Sequence, residues 1–561
     1  MKNDKTKTGA QLLVATLKAH GADHVFCVPG ESYLAVLDAL YDESERVRVV
    51  ACRHEGGAAN MAEAYGKLTG RPGICMVTRG PGATNASIGV HTAFQDSTPM
   101  ILFVGQVARE FAGREAFQEV DYKTMFSGMA KWVGQIESAD RVIELVSRAF
   151  HVACAGRPGP VVLALPEDML LELAGVSEIR SFTPVQAGPV EADMARMVKL
   201  LESAERPLVL LGGSGWNVDA CNKLQQFAET NGLPVACAFR FQDLFDNEHE
   251  NYIGDVGVGI NPALAKRVGD ADLLLAIGPR LGEMTTSGYT LLSSPVPKQK
   301  LVHVHAGAEE LGSVYEGELL INSGMVRFAE ALSKLPPLKG AMRWRALTEA
   351  ARSDYLRWTS RVTIPGDVQM WELMEFLRDR LDDDAIITNG AGNYTVWVHR
   401  FYRYRGHRTQ LAPTSGAMGY GVPAAIAAKI IHPDRQVVAF AGDGCFLMNG
   451  QEIATAVKER ANVVIVVVNN GMYGTIRMHQ EREYPGRVIA TDLVNPDFAA
   501  FARSFGAHGE TVTATDQFPA AFERAISSGK PSLIEVRTDP DAITPNTTIT
   551  AMRRNIAGVT A

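Results

Sequence analysis

A rhythm narrows the fold of this chain more than any other feature. Short runs of four to eight β-branched and aliphatic residues recur, each followed by a glycine-bearing turn and then by a stretch with apolar residues at helical spacing. A run without polar alternation has both faces buried, which is how strands of a parallel sheet covered by helices read. In the first third the runs are His24–Val28, Val47–Ala51, Gly73–Thr78, Met100–Gly105 and Pro160–Leu165. A second block starts at Arg206-Pro207-Leu208 and continues through Pro234–Ala238, Leu273–Gly278 and Leu301–His305. A third holds Ala385–Asn389, Gln436–Ala441, Val463–Val468 and Ser532–Val536. Between them, residues 173–195 read as a polar crossing, and 335–367, with Pro336-Pro337, Lys339-Gly340 and Pro365-Gly366, as a second linker. The expectation is an α/β protein with three doubly wound parallel-sheet domains at 1–185, 190–340 and 360–545, and a C-terminal tail at 546–561.

The chain's 561 residues are enough for three such cores. With 55 lysines and arginines against 63 acids and no long run of like charge, a nucleic-acid partner has no electrostatic footprint. Seven scattered cysteines without a C-x-x-C pair point to a reducing compartment, neither disulfide-framed nor zinc-bound. The opening MKNDKTKTGAQ has no apolar signal region, and the most apolar run, Val463–Val468, is far too short to span a bilayer. A cytoplasmic protein without a membrane segment is therefore expected.

Two strand ends carry chemistry. Gln436–Ala441 runs into Gly442-Asp443-Gly444, and Val463–Val468 into Asn469-Asn470-Gly471-Met472, so a carboxylate and an amide oxygen meet one edge of a sheet. Such edges bind ligands in open parallel sheets. Asp443 and Asn470 are hard oxygen donors suited to Mg²⁺, and flanking glycines let backbone N–H groups approach a diphosphate. G-D-G alone is an ordinary turn; the 24 residues from Cys445 to Val468 that separate it from the N-N pair are what distinguish it.

With that spacing the segment resembles the cofactor motif of thiamine-diphosphate-dependent enzymes. The resemblance implies that Asp443, the Asn470 side chain and the Met472 carbonyl hold Mg²⁺, and that Gly442, Gly444 and Cys445 cradle the diphosphate. Asn389-Gly390-Ala391-Gly392-Asn393-Tyr394 is similar to the second phosphate loop, with Asn393 and Tyr394 as contacts. Met418 lies 25 residues before Asp443, where similar enzymes place the apolar wedge that bends the cofactor, and Gly416 offers a carbonyl to its 4′-amino group. Arg53-His54-Glu55-Gly56-Gly57 and Thr78-Arg79-Gly80-Pro81-Gly82 resemble the pyrimidine-binding domain, which makes Glu55 the catalytic carboxyl beside N1′. The family's sites lie between chains, so a homodimer at least, and a tetramer by analogy with many relatives, is implied.

The domain order resembles the acetohydroxyacid (acetolactate) synthase branch. Pro29-Gly30-Glu31-Ser32-Tyr33 and Ala116-Phe117-Gln118-Glu119 carry that likeness, with Gln118 placed over the thiazolium and Lys131 a candidate for the substrate carboxylate. His479 stands where synthases have a tryptophan that selects the second 2-oxo acid, so poor acetolactate formation is expected. Only Arg280 survives from the flavin-binding pattern, which leaves FAD possible but unsupported, and Gly212-Gly213-Ser214-Gly215 is an incomplete dinucleotide fingerprint. The expected reaction is decarboxylation of a 2-oxo acid and transfer of the enamine to an acceptor carbonyl. The alternatives are a 2-oxo acid decarboxylase or 2-hydroxyacyl lyase and, from a different class, an NAD-dependent dehydrogenase.

Overall fold

A computed structural model describes residues 6–176 and 178–559. The readings that fall on Met1-Lys2-Asn3-Asp4-Lys5, on Ser177 and on the last two residues of the tail lie outside the described residues. Three six-stranded sheets, parallel throughout, are flanked by helices. The first runs, edge to edge, Arg48–Ala51, His24–Cys27, Gly73–Val77, Met100–Gln106, Pro160–Pro166, Trp132–Gln135. Numbered along the chain, that order is 2-1-3-4-6-5. The third sheet repeats it: Gln410–Leu411, Ile386–Asn389, Val437–Gly442, Val464–Asn469, Ser532–Arg537, His508–Val512. The middle sheet, with Pro207–Leu211 beside Leu273–Ile277 at its centre, has the order 3-2-1-4-5-6.

The chain divides into two compact units: Met1–Val185 with Val422–Pro433 and Asn449–Ala461, and Gln186–Gly421 with Asp434–Met448 and Asn462–Ala561. In the first, Leu13, Val25, Phe103 and Leu163 lie within one core cluster. In the second, Val209, Leu275 and Phe328 belong to the middle-sheet core, and Phe440, Val466 and Ile534 to that of the third sheet.

Two stretches differ from their reading. Within 173–195, Leu173–Gly175 pairs antiparallel with Thr6–Thr8, and a helix, Glu191–Ser203, follows. Within 335–367 lies a 14-residue helix, Arg345–Trp358, whose Ala351 and Tyr355 enter the middle-sheet cores. Its buried stripe is sparse, only Thr348, Ala351 and Tyr355, so the surrounding prolines and glycines outweighed its periodicity.

Five edge strands carry no run long enough to read: Trp132–Gln135, Tyr252–Asp255, Leu319–Asn322, Gln410–Leu411 and His508–Val512. An edge strand has one neighbour and an open side. Leu319–Asn322, for example, alternates buried and exposed residues.

Candidate functional site

In the third sheet the order reverses between Ile386–Asn389 and Val437–Gly442: the chain leaves the first toward Gln410–Leu411 and the second toward Val464–Asn469. The loops beyond the two strand ends therefore part, and the crevice left between them is the ligand position of an open α/β sheet. A cavity of about 230 Å³ opens there. All ten residues that the sequence assigns to the cofactor in this region line it: Asn393 and Tyr394, Gly416 and Met418, the run from Gly442 to Cys445, and Asn470 with Met472.

Asp443 opens a short helix, Asp443–Phe446, and is almost wholly buried. Its Oδ1 accepts from the Gly444 N–H at 3.0 Å and its Oδ2 from Asn495 Nδ2 at 2.7 Å. Burial raises its pKa, with the Asn495 hydrogen bond opposing. Among the described residues no lysine or arginine pairs with it. A buried carboxylate at a helix start, without a cation of its own, fits a divalent ion.

Beside it, Asn470 Oδ1 accepts from the Met472 N–H at 3.2 Å, and the turn is closed by Gly471 at φ +69°. Gly444 admits no side chain, since a Cβ there would lie 2.5 Å from the Tyr473 ring. Gly416 has φ +68° and no atom within 4 Å of an added Cβ, so backbone conformation explains the glycine. Tyr394 uses its hydroxyl inside the protein, accepting from the Gly390 N–H at 3.0 Å and meeting Cys445 Sγ at 3.3 Å. Asn393 is likewise engaged, donating to the Ile543 carbonyl and accepting from Thr475 Oγ1. Ile543 also lines the cavity, and the helix Ile549–Val559 that follows it is tied down by Glu481. Arg553 and Arg477 both pair with that carboxylate and hold its pKa down to about 2.

In the other unit, Glu55 opens the helix Glu55–Thr69, capped by His54 Nδ1, which accepts from the Gly56 N–H. Glu55 is half-buried, and its Oε2 accepts from Asn85 Nδ2 at 2.9 Å. The turn before it is fixed by Glu452, which no motif singled out: a glutamate in a helical stretch usually faces water. Glu452 is fully buried, and its Oε1 accepts from the backbone N–H groups of Arg53 at 3.0 Å and His54 at 2.9 Å. A Cβ on Gly57 would stand 2.6 Å from the same oxygen. Burial raises the Glu452 pKa. Glu452→Ala, which strands two part-buried N–H groups, is expected to cost about 1 to 3 kcal/mol in urea unfolding, whereas Glu452→Gln, keeping an acceptor, should cost less than half of that.

Gln118 sits at φ +64°, half-buried, with its carbonyl accepting from the Gly80 N–H at 3.0 Å. Lys131 serves a purpose other than the expected one. Its ammonium donates to the carbonyls of Val152 and Ala155, both at 2.6 Å, and so caps the C-terminus of the helix Val142–Cys154. That commitment removes the ground for assigning it a substrate carboxylate. His479 also departs from its reading: it is exposed, does not line the cavity, and has Nδ1 against Arg482 at 2.7 Å. Thr475 and Ile476, one turn earlier on the same helix, line the cavity instead. Ile476 and His479, three residues apart, share one helix face, so the difference is one of distance along the axis: the helix carries His479 a turn beyond the cavity.

In the middle sheet, the glycine turn serves close packing, since a Cβ on Gly213 would lie 2.0 Å from the Gly278 carbonyl. Arg280 pairs with Glu310.

Three family models match the chain. These are the N-terminal TPP binding domain of thiamine pyrophosphate enzymes over residues 7–125, the central domain over 194–332, and the C-terminal TPP binding domain over 390–536. The chain is 31% identical over 536 residues to acetolactate synthase isozyme 2 large subunit of Escherichia coli (strain K12), covering 95% of each. It is 33% identical over 554 residues to acetolactate synthase large subunit of Corynebacterium glutamicum, covering 95% of this chain and 87% of the relative. A probable acetolactate synthase large subunit of Methanocaldococcus jannaschii is 30% identical over 566 residues, covering 96% and 93% respectively.

Proposed function

The chain belongs to the thiamine pyrophosphate enzyme family, and from that premise we propose that it is an acetolactate synthase-like carboligase, which decarboxylates a 2-oxo acid and joins the remaining carbons to an acceptor carbonyl. The observation that carries this reading is Asp443, a buried carboxylate with no cation paired to it among the described residues, lining a cavity together with Asn470 and Met472. In this reading Asp443, the Asn470 side chain and the Met472 carbonyl hold Mg²⁺. The Cys445 N–H and the side-chain-free backbone of Gly444, whose own N–H is held by Asp443 Oδ1, would cradle the diphosphate, with Asn393 and Tyr394 shaping the facing loop. Bound thiamine diphosphate supplies the electron sink for the electrons released with CO₂.

The chain's own residues do the rest. Glu55 would hold a proton at N1′ of the pyrimidine and give it back, Met418 would supply the apolar wedge between the two rings, and the Gly416 carbonyl would accept from the 4′-amino group. Gln118 donates an amide N–H to a substrate oxygen. The three domains are proposed at 1–185, 190–340 and 360–545. The working form is proposed to be a homodimer at least, tetrameric by analogy, with Glu55 of one chain serving the cofactor of the other. Among the described residues no helix is long and apolar enough to cross a membrane, which is compatible with a cytoplasmic enzyme.

The test is a panel of 2-oxo acid donors against 2-oxo acid and aldehyde acceptors, recording CO₂ and product mass together. Condensation products with one CO₂ per turnover are expected; CO₂ with only the corresponding aldehyde would replace the carboligase reading with a decarboxylase. Since Ile476 lines the cavity and His479, a turn further along the helix, does not, His479→Trp should leave product ratios unchanged. Ile476→Ala should shift the preference between acceptors by about tenfold, the range that a few methylenes in a pocket command.

A further inference from the structure

We propose that Asn495 is a positioning residue of the cation site, holding the Asp443 carboxylate in the orientation a divalent ion needs, and that a line of side chains from Arg537 holds Asn495 in turn. The inference rests on the reading of Asp443 as a metal ligand. Both N–H bonds of the Asn495 amide are used: Nδ2 lies 2.7 Å from Asp443 Oδ2 and 3.0 Å from Asn469 Oδ1. Asn469 Oδ1 also accepts from the Gly471 N–H at 3.0 Å, and Asn469 Nδ2 donates to Glu535 Oε1 at 2.7 Å. Glu535 is fully buried, accepts from Thr511 Oγ1 at 2.9 Å, and pairs with Arg537 at 3.1 Å.

The line thus runs from the strand Ser532–Arg537 to the end of the adjacent strand Val464–Asn469, passes through Asn495 and ends on the carboxylate of Asp443, the residue after the strand Val437–Gly442. It gives the first asparagine of the N-N pair a role separate from that of Asn470. Asp443 has one oxygen engaged by the Gly444 N–H and the other by Asn495, so its rotation is blocked from both sides while each oxygen keeps a lone pair. Apolar burial does not explain why Asn495 turns inward. Its neighbour Val494 is fully exposed, and Asn495 Oδ1 is left buried without a partner among the described residues. The donors are what the side chain is retained for. Partners that orient a metal-binding side chain typically govern affinity by about 10- to 100-fold.

The test uses Mn²⁺ as the probe, with free and bound ion counted by electron paramagnetic resonance on the full chain, with and without thiamine diphosphate. In Asn495→Ala, Mn²⁺ binding is expected to weaken by about 10- to 100-fold and the spectrum of the bound ion to change. The apo melting temperature should stay near that of the wild type. Asp492→Ala serves as control for the loop, since it removes only an exposed pairing with Arg477 and leaves Asn495 in place. Wild-type affinity and spectrum in Asn495→Ala would overturn the proposal, as would an equal loss in Asp492→Ala. Should Asp443→Ala also bind Mn²⁺ normally, the metal-ligand reading itself fails. If Asp443→Ala loses the ion while Asn495→Ala keeps it, only the role of Asn495 is wrong.

Discussion

Glu55→Gln should bind thiamine diphosphate within about threefold of the wild type while the exchange of its C2 proton slows by about 10² to 10⁴, the range attributed to a positioned general acid or base. The substitution is nearly isosteric, and its amide can still offer an oxygen to Asn85 Nδ2, which in the wild type lies 2.9 Å from Glu55 Oε2. The His54 cap and the Glu452 bonds that fix the preceding turn do not involve the Glu55 side chain. What the amide loses is the ability to hold and return a proton at N1′. Deuterium loss at C2, read by acid quench and proton NMR, checks this. An unchanged exchange rate would take Glu55 out of the chemistry without disturbing the assignment of the cavity.

Asp443→Ala should lose Mg²⁺ and thiamine diphosphate together, with calorimetric affinity for the cofactor in Mg²⁺ falling by more than about 100-fold. The carboxylate is buried, and burial alone disfavours its charge, so the folded apo protein gains little from it. The apo melting temperature is therefore expected to change little. The wild type should be stabilised by Mg²⁺ and cofactor through mass action, and the variant should not. Normal cofactor affinity in Asp443→Ala would reduce Gly442-Asp443-Gly444 to a turn at the end of a strand.

How far the sequence reached depends on what each residue is surrounded by. Every central strand of the three sheets was legible, because a strand with neighbours on both sides and helices on both faces must be apolar along its whole length, as Val464–Val468 is. Five edge strands were not, because an open side relaxes that demand. The helix Arg345–Trp358 went unread because only three of its residues are buried. At the cavity, the residues whose local backbone is dictated by the motif, from Gly442 to Cys445 and from Asn470 to Met472, were legible as a group.

The sequence by itself determined the fold class, the family resemblance and the strand ends that carry the site, since strand burial, glycine turns and fixed spacing are all local in the chain. Only the tertiary structure decided the partners. It gave Lys131 to a helix C-terminus, carried His479 a helical turn beyond the cavity, and brought Glu452 to the turn before Glu55 across nearly 400 residues. It also brought Asn495 to Asp443 across 52 residues. These roles belong to long polar side chains, whose destination is set by whichever unpaired donor or acceptor the packed fold leaves within reach. No local pattern encodes that choice.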